Sequence, residues 1–113
     1  MNLAVQQAEF FKQDFVNQFA WYVDMDGPDV ARRFQVALDQ SLNKLARRPD
    51  LGRPRHFRNP RLQALRSCQV ERPFNRILIF YRVSGGALQA VRLMHGARNL
   101  PRRLLEPPNA TAD

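Results

Sequence analysis

The segment from Ile77 to Leu100, ILIFYRVSGGALQAVRLMHGARNL, constrains the fold more than any other part of the chain. Two apolar runs meet at Ser84-Gly85-Gly86, and two adjacent glycines tolerate the positive φ angles that a two-residue hairpin turn demands. That turn predicts a register in which Val83 faces Leu88, Tyr81 faces Ala90 and Arg76 faces His95. One surface of the hairpin is then Ile77, Ile79, Tyr81, Val83, Leu88, Ala90 and Met94, apolar except for Arg92. The other mixes Leu78, Phe80, Val91 and Leu93 with Arg76, Arg82, Gln89 and His95, a composition that suits a site or a partner better than a sealed core. A three-residue turn with a bulge would change this pairing.

What lies ahead of the hairpin supplies a cover for its apolar side. Leu3 to Val5 can form a short strand. From Ala8 the apolar residues fall at Ala8, Phe11, Phe15, Phe19 and Tyr22, steps of three and four that line one face of a helix ending near Asp24. Asp26-Gly27-Pro28-Asp29 reads as a turn and a helix start, with Pro28 in the first turn and Asp29 complementing the helix dipole. The spacing repeats at Ala31, Phe34, Leu38, Leu42 and Leu45 and stops at Arg47-Arg48-Pro49. Two such helices form a hairpin apolar enough to cover one face of a sheet. Asp50 to Arg61 is a loop rich in Gly, Pro and Arg, Leu65 to Val70 is a strand candidate, and Pro73-Phe74-Asn75 turns it into the β-hairpin. Arg98 to Leu105 can form a last short helix, and Glu106 to Asp113 reads as a disordered polar tail. The expected fold class is α+β: an N-terminal strand and helical hairpin on one face of a mainly antiparallel sheet of three to four strands, with a short C-terminal helix. It spans residues 1–105 as a single domain.

Charge divides the chain unevenly. Residues 1–46 carry four Lys or Arg against six acids, whereas residues 47–113 carry fourteen Arg, no Lys and only four acids. Guanidinium groups make planar, bidentate contacts with phosphates and carboxylates and shed water more readily than ammonium groups, so this bias favours an anionic partner. Solvated surface arginine is the alternative. The chain has one Cys, which excludes an intramolecular disulfide framework and suits a reducing cytosol. No basic segment followed by an apolar run opens the sequence, and Glu9 and Asp14 interrupt the early hydrophobic residues. The expectation is a cytoplasmic protein with no membrane partner.

The order of elements resembles the RelE/ParE superfamily of type II toxin–antitoxin toxins, over most of residues 3–105. The resemblance is carried by the Ala8 to Phe15 opening, LARRPDLGRPR from Leu45 to Arg55, Leu65-Arg66-Ser67, Ile79 to Val83, and VRLMHGARNL from Val91 to Leu100. It is stronger for the ParE-like branch. That resemblance implies a toxin that poisons DNA gyrase and is blocked by a small, acidic, DNA-binding antitoxin. The RelE-like branch implies instead a metal-free, ribosome-dependent mRNA endonuclease, in which a side-chain base acts on the ribose 2′-hydroxyl and cations stabilise the phosphorane. The ribonuclease branch carries an Arg where this chain has Leu78, and a Tyr or His beyond the last strand. Only His95 and Arg98 stand near that place.

Both mechanisms stay open on the sequence. Arg76, Arg82, His95 and Arg98 are the catalytic candidates under the ribonuclease reading, since Arg76 shares a face with Arg82 and neighbours His95 in the expected register. Arg53, Arg55, Arg58 and Arg61, with Leu78, Phe80, Val91 and Leu93, are the candidates for binding target or antitoxin. Those apolar residues would make the isolated chain aggregation-prone. His56 reads as solvated, Cys68 as a small buried hydrophobe, Tyr81 as core, and Trp21 as hairpin packing or an antitoxin contact. With two His and one Cys, no metal site and no cofactor are expected.

Overall fold

The computed structural model describes residues 2–96 and 100–108. The elements follow in the order β1 (Ala4–Gln7), α1 (Glu9–Asp26), α2 (Pro28–Arg47), β2 (Arg53–Pro54), β3 (Arg66–Gln69), β4 (Ile77–Ser84), β5 (Ala87–His95) and α3 (Leu100–Leu105), with 3-10 turns at Pro49–Leu51 and Pro60–Leu62. The sheet has five strands in the order β1-β5-β4-β3-β2, where β1 runs parallel to β5 and the other neighbours are antiparallel. The expected sheet was one strand too narrow, because β2 is two residues long and contains a proline, too little to leave a pattern in the sequence.

Gly85 and Gly86 both take positive φ, +58° and +76°. They form the expected two-residue turn, and Val83 pairs with Leu88 and Tyr81 with Ala90. Beyond that point the register departs from expectation. Phe80 pairs with Arg92, so Val91 is an extra residue in β5, and the rest of the strand is displaced until Ile77 pairs with His95. A bulge of this kind exchanges the faces of every residue that follows it. Leu93 moves into the core beneath the helices and Met94 to the opposite side. The bulge thus buries Leu93, worth about 2 kcal/mol of transfer free energy, and spares the helix-side core an unpaired guanidinium.

The α1–α2 hairpin covers one face. Phe11, Phe34, Leu38, Leu42 and Leu45 pack on Ile77, Ile79, Tyr81, Leu88, Ala90 and Leu93. An aromatic group seals the hairpin to the β3–β4 turn: Phe34 lies 5.9 Å from Phe15, 5.1 Å from Tyr22 and 5.5 Å from Phe74 between ring centroids. Ser41 secures the same turn by accepting a hydrogen bond from the Glu71 N–H at 3.0 Å. Gly27, at φ +93°, serves both helices, donating its N–H to the Val23 carbonyl as α1 ends and standing before Pro28 as α2 begins.

The second face is also covered, by the chain itself. Leu62 and Leu65 from the long loop and Leu100 and Leu104 from α3 bury Phe80 and Met94, with Phe57, Leu78, Val91 and Leu105 at the margin. Phe80 and Leu93, both expected on an exposed binding surface, are 0% and 5% exposed. Leu78 and Val91 are half-buried. The loop is sealed where the sequence showed only Gly, Pro and Arg, because its two leucines and α3 together form a small second core.

Arg92 is the largest side chain with under 2% exposure. Its guanidinium donates to both carboxylate oxygens of Asp14 on α1, at 2.8 and 3.0 Å, and to the carbonyls of Arg103, Leu104 and Glu106 at 3.0, 3.0 and 2.6 Å. Asp14 also accepts from the Leu93 N–H at 2.9 Å. One cation therefore joins α1 to the C-terminal carbonyls of α3, groups that a helix end leaves without intrahelical partners. The residue that interrupted an apolar pattern in the sequence is the tie between three elements. Glu106, expected to begin the tail, is held by this contact, and Pro108 is buried. Residues 109–113 of that tail lie outside the described residues.

Candidate functional site

Three arginines of the second half, Arg53, Arg55 and Arg82, gather on the sheet face away from the helical hairpin. Cross-strand partners share a face. Arg53 pairs with Ser67, which pairs with Phe80 of the second core, while Arg82 follows Phe80 by two residues and pairs with Gln89. Arg55 enters this face by donating from Nε to Ser67 Oγ at 2.8 Å and stacking over the Phe80 ring at 5.9 Å. Arg61 follows on the loop, and its carbonyl accepts from Arg82 at 3.1 Å. Arg53, Arg58 and Arg61 are exposed, and Arg55 and Arg82 half-buried.

Among the described residues no carboxylate pairs with this group. The ion pairs among the described residues join Arg32 to Asp29, Arg92 to Asp14 and Arg102 to Glu106. Arg55 and Arg82 are aimed by neutral acceptors, a hydroxyl and a carbonyl, so their positive charge stays available to an outside anion. Burial, then the charge of nearby Arg53, push Arg55 below its ordinary pKa, a direction that still leaves a guanidinium charged at neutral pH.

The scaffold beneath is fixed by Tyr81. Its hydroxyl donates to the Pro49 carbonyl at 2.7 Å and accepts from the Gly52 N–H at 2.8 Å, and Arg66 donates to the Gly52 carbonyl at 2.8 Å. A Cβ built on Gly52 would lie 2.2 Å from the Tyr81 oxygen, so only glycine fits there. This pins the segment that leads into β2, from which Arg53 and Arg55 project. Tyr81 is core, as its place on the apolar strand face implied, and burial raises its pKa above the ordinary 10.0.

The ribonuclease candidates do not share one strand face. Arg82 alternates with the helix-side core residues of β4 and faces away from the hairpin, whereas the bulge pairs His95 with Ile77, a residue of the helix-side core. Arg76 lies in the turn before β4, where its carbonyl accepts from the Gly96 N–H at 3.3 Å. His95 is exposed, and it lines an open groove of about 510 Å³ with Asp14, Asn17, Gln18 and Trp21 of α1. Arg98 lies outside the described residues. The expected pairing of Arg76 with His95 depended on an unbroken register, and a single inserted residue shifts His95 onto Ile77 and to the face opposite Arg82.

His56 is exposed in the loop. Cys68 is half-buried, and burial pushes its thiol above the ordinary value, with Lys44 opposing and Glu71 adding to the shift. Among the described residues no cluster of His, Cys, Asp or Glu has the makings of a metal site, and no helix is long and apolar enough to cross a membrane. Trp21 is half exposed on one flank of α1 beside Met25, and Val16 is exposed on the other flank.

A sequence profile of the family described as the ParE toxin of type II toxin–antitoxin systems, parDE, matches residues 5–100. Among solved structures, the chain is similar to one from the chromosomal ParDE toxin–antitoxin system of P. aeruginosa, with a TM-score of 0.68 and 19% identity over 84% of this chain and 97% of that one. At that identity the likeness speaks to the fold. No curated protein shows significant sequence similarity to the chain.

Proposed function

This chain belongs to the ParE toxin family of type II toxin–antitoxin systems, and on that premise we propose that it arrests growth by poisoning DNA gyrase in the cytoplasm until a cognate antitoxin covers it. The family supports the toxin role. The observation that carries the choice of target is the split of the catalytic candidates: Leu78 stands where a phosphate-stabilising arginine would be needed, and His95 pairs with Ile77 on the face opposite Arg82. General acid–base cleavage of RNA needs its base and its cations around one phosphate. A poison that works by binding needs only a surface.

Two surfaces divide the work in this reading. The arginine face, with Arg53, Arg55, Arg58 and Arg61 and the half-buried Leu78 and Val91 toward its margin, meets the target. The exposed Trp21 and Met25, on one flank of α1, meet a small acidic antitoxin through an amphipathic segment. Pulsed expression without antitoxin tests the target. A DNA-damage response, filamentation and intact mRNA support gyrase, as does loss of supercoiling activity when purified toxin is added to gyrase. Immediate translation arrest with codon-linked mRNA cleavage and undamaged DNA would sink this reading in favour of the ribonuclease.

A further inference from the structure

We infer that the arginine face grips the phosphodiester backbone of duplex DNA directly, so that the toxin holds DNA as well as the gyrase that carries it. The inference deepens the gyrase reading and rests on it for its setting, but the binding itself stands on the geometry of this face.

Arg53, Arg55 and Arg82 lie on one sheet face, and Arg58 and Arg61 on the loop whose Phe57 and Leu62 pack against it, with no carboxylate among the described residues paired to any of the five. Two of the five are braced: Arg55 by Ser67 Oγ and the Phe80 ring, Arg82 by the Arg61 carbonyl. Bracing lowers the side-chain entropy lost when an anion arrives, which scattered, solvated arginines would pay in full. A protein partner needs more than charge. It needs exposed apolar anchors or an open strand edge, and here the loop's Phe57 is half-buried against the second core. Phe80, Leu62 and Leu65 are at most 2% exposed. The edge strand β2 is two residues long, and Pro54 has no N–H to offer an added strand. Cations without anchors fit a partner that presents regularly spaced negative charge and asks for no pocket, which is the sugar–phosphate backbone.

The test is anisotropy of a short labelled DNA duplex titrated with the full-length toxin released from its antitoxin. Three to five phosphate contacts predict that affinity falls about 40-fold to 500-fold between roughly 50 and 200 mM salt. The triple variant R53A/R58A/R61A, altered only at exposed side chains, should flatten the log–log salt slope by about three. The variant K12A/R32A/R33A, with three cations removed from the helical hairpin, should leave the slope unchanged. Equal loss in the two triple variants would mean diffuse charge and overturn the inference. Stronger competition by poly-glutamate than by unlabelled duplex at equal charge would assign the face to an acidic peptide and overturn it too. Absent DNA binding with gyrase still inhibited would sink this inference alone, whereas DNA binding that follows the predicted slopes with gyrase unaffected would sink the gyrase reading and keep this one.

Discussion

Replacing Arg92 by Met removes five hydrogen bonds at once and leaves Asp14, whose side chain is 8% exposed, as a buried carboxylate with only the Leu93 N–H for a partner. Breaking a buried pair from one side costs about 3–5 kcal/mol, because the remaining charge is desolvated without compensation. At about 4 °C per kcal/mol for a domain of this size, the melting temperature should fall by roughly 12–20 °C. Asp14→Asn should cost less. It leaves Arg92 the three carbonyls of α3 as acceptors and keeps an oxygen for the Leu93 N–H. The double variant should be less destabilised than the two single effects added together, by about 1–3 kcal/mol, since the charge orphaned by R92M is gone. Urea unfolding of the four proteins gives the cycle, and amide exchange across α3 shows whether the helix detaches first. A drop below about 3 °C for R92M, or strict additivity, would refute the reasoning that this one cation ties α1 to α3.

Gly52→Ala should destabilise the fold by about 2–3 kcal/mol by forcing its methyl against the Tyr81 hydroxyl, read as a lower urea midpoint with an unchanged m-value. Alkaline stability should follow Tyr81 and Cys68. Both have pKa values raised in the fold, above ordinary values of 10.0 and 9.0, so their contribution is present below those values and is lost as pH climbs through the folded ones. Unfolding free energy should therefore decline from about pH 9 upward, and Tyr81→Phe should shed the part above about pH 10; an identical decline in that variant would contradict the assignment. Ala64 holds φ +62° just before β3, a conformation costly for any residue with a Cβ, so Ala64→Gly should stabilise the protein by about 0.5–1 kcal/mol in the same urea assay.

The elements built on local rules were legible in the sequence. The glycine pair at 85 and 86 announced its turn, Pro28 and Pro49 bounded α2, and the three-and-four spacing from Phe11 to Tyr22 located the inner stripe of α1. What escaped depends on contacts between distant residues. The bulge at Val91 has no local signature, and its only trace was Arg92 standing in an apolar row. An arginine at such a place signals either a shifted register or a buried ion pair, and here it is both. The same bulge removed Leu93 from the expected binding surface and moved His95 to the face opposite Arg82. Phe80 was lost to that surface for another reason, since Leu62, Leu65, Leu100 and Leu104 come from segments whose packing no strand pattern foretells. The charge asymmetry, by contrast, pointed to the arginine face from composition alone.

The tie between Arg92 and α3 grips main-chain oxygens, atoms that every amino acid carries. Anchorage is thereby divorced from identity. Selection is free to rewrite the outward chemistry of Arg102, whose side chain is 81% exposed, and with it whatever the C-terminal tip addresses, while the mooring that positions the tip stays intact.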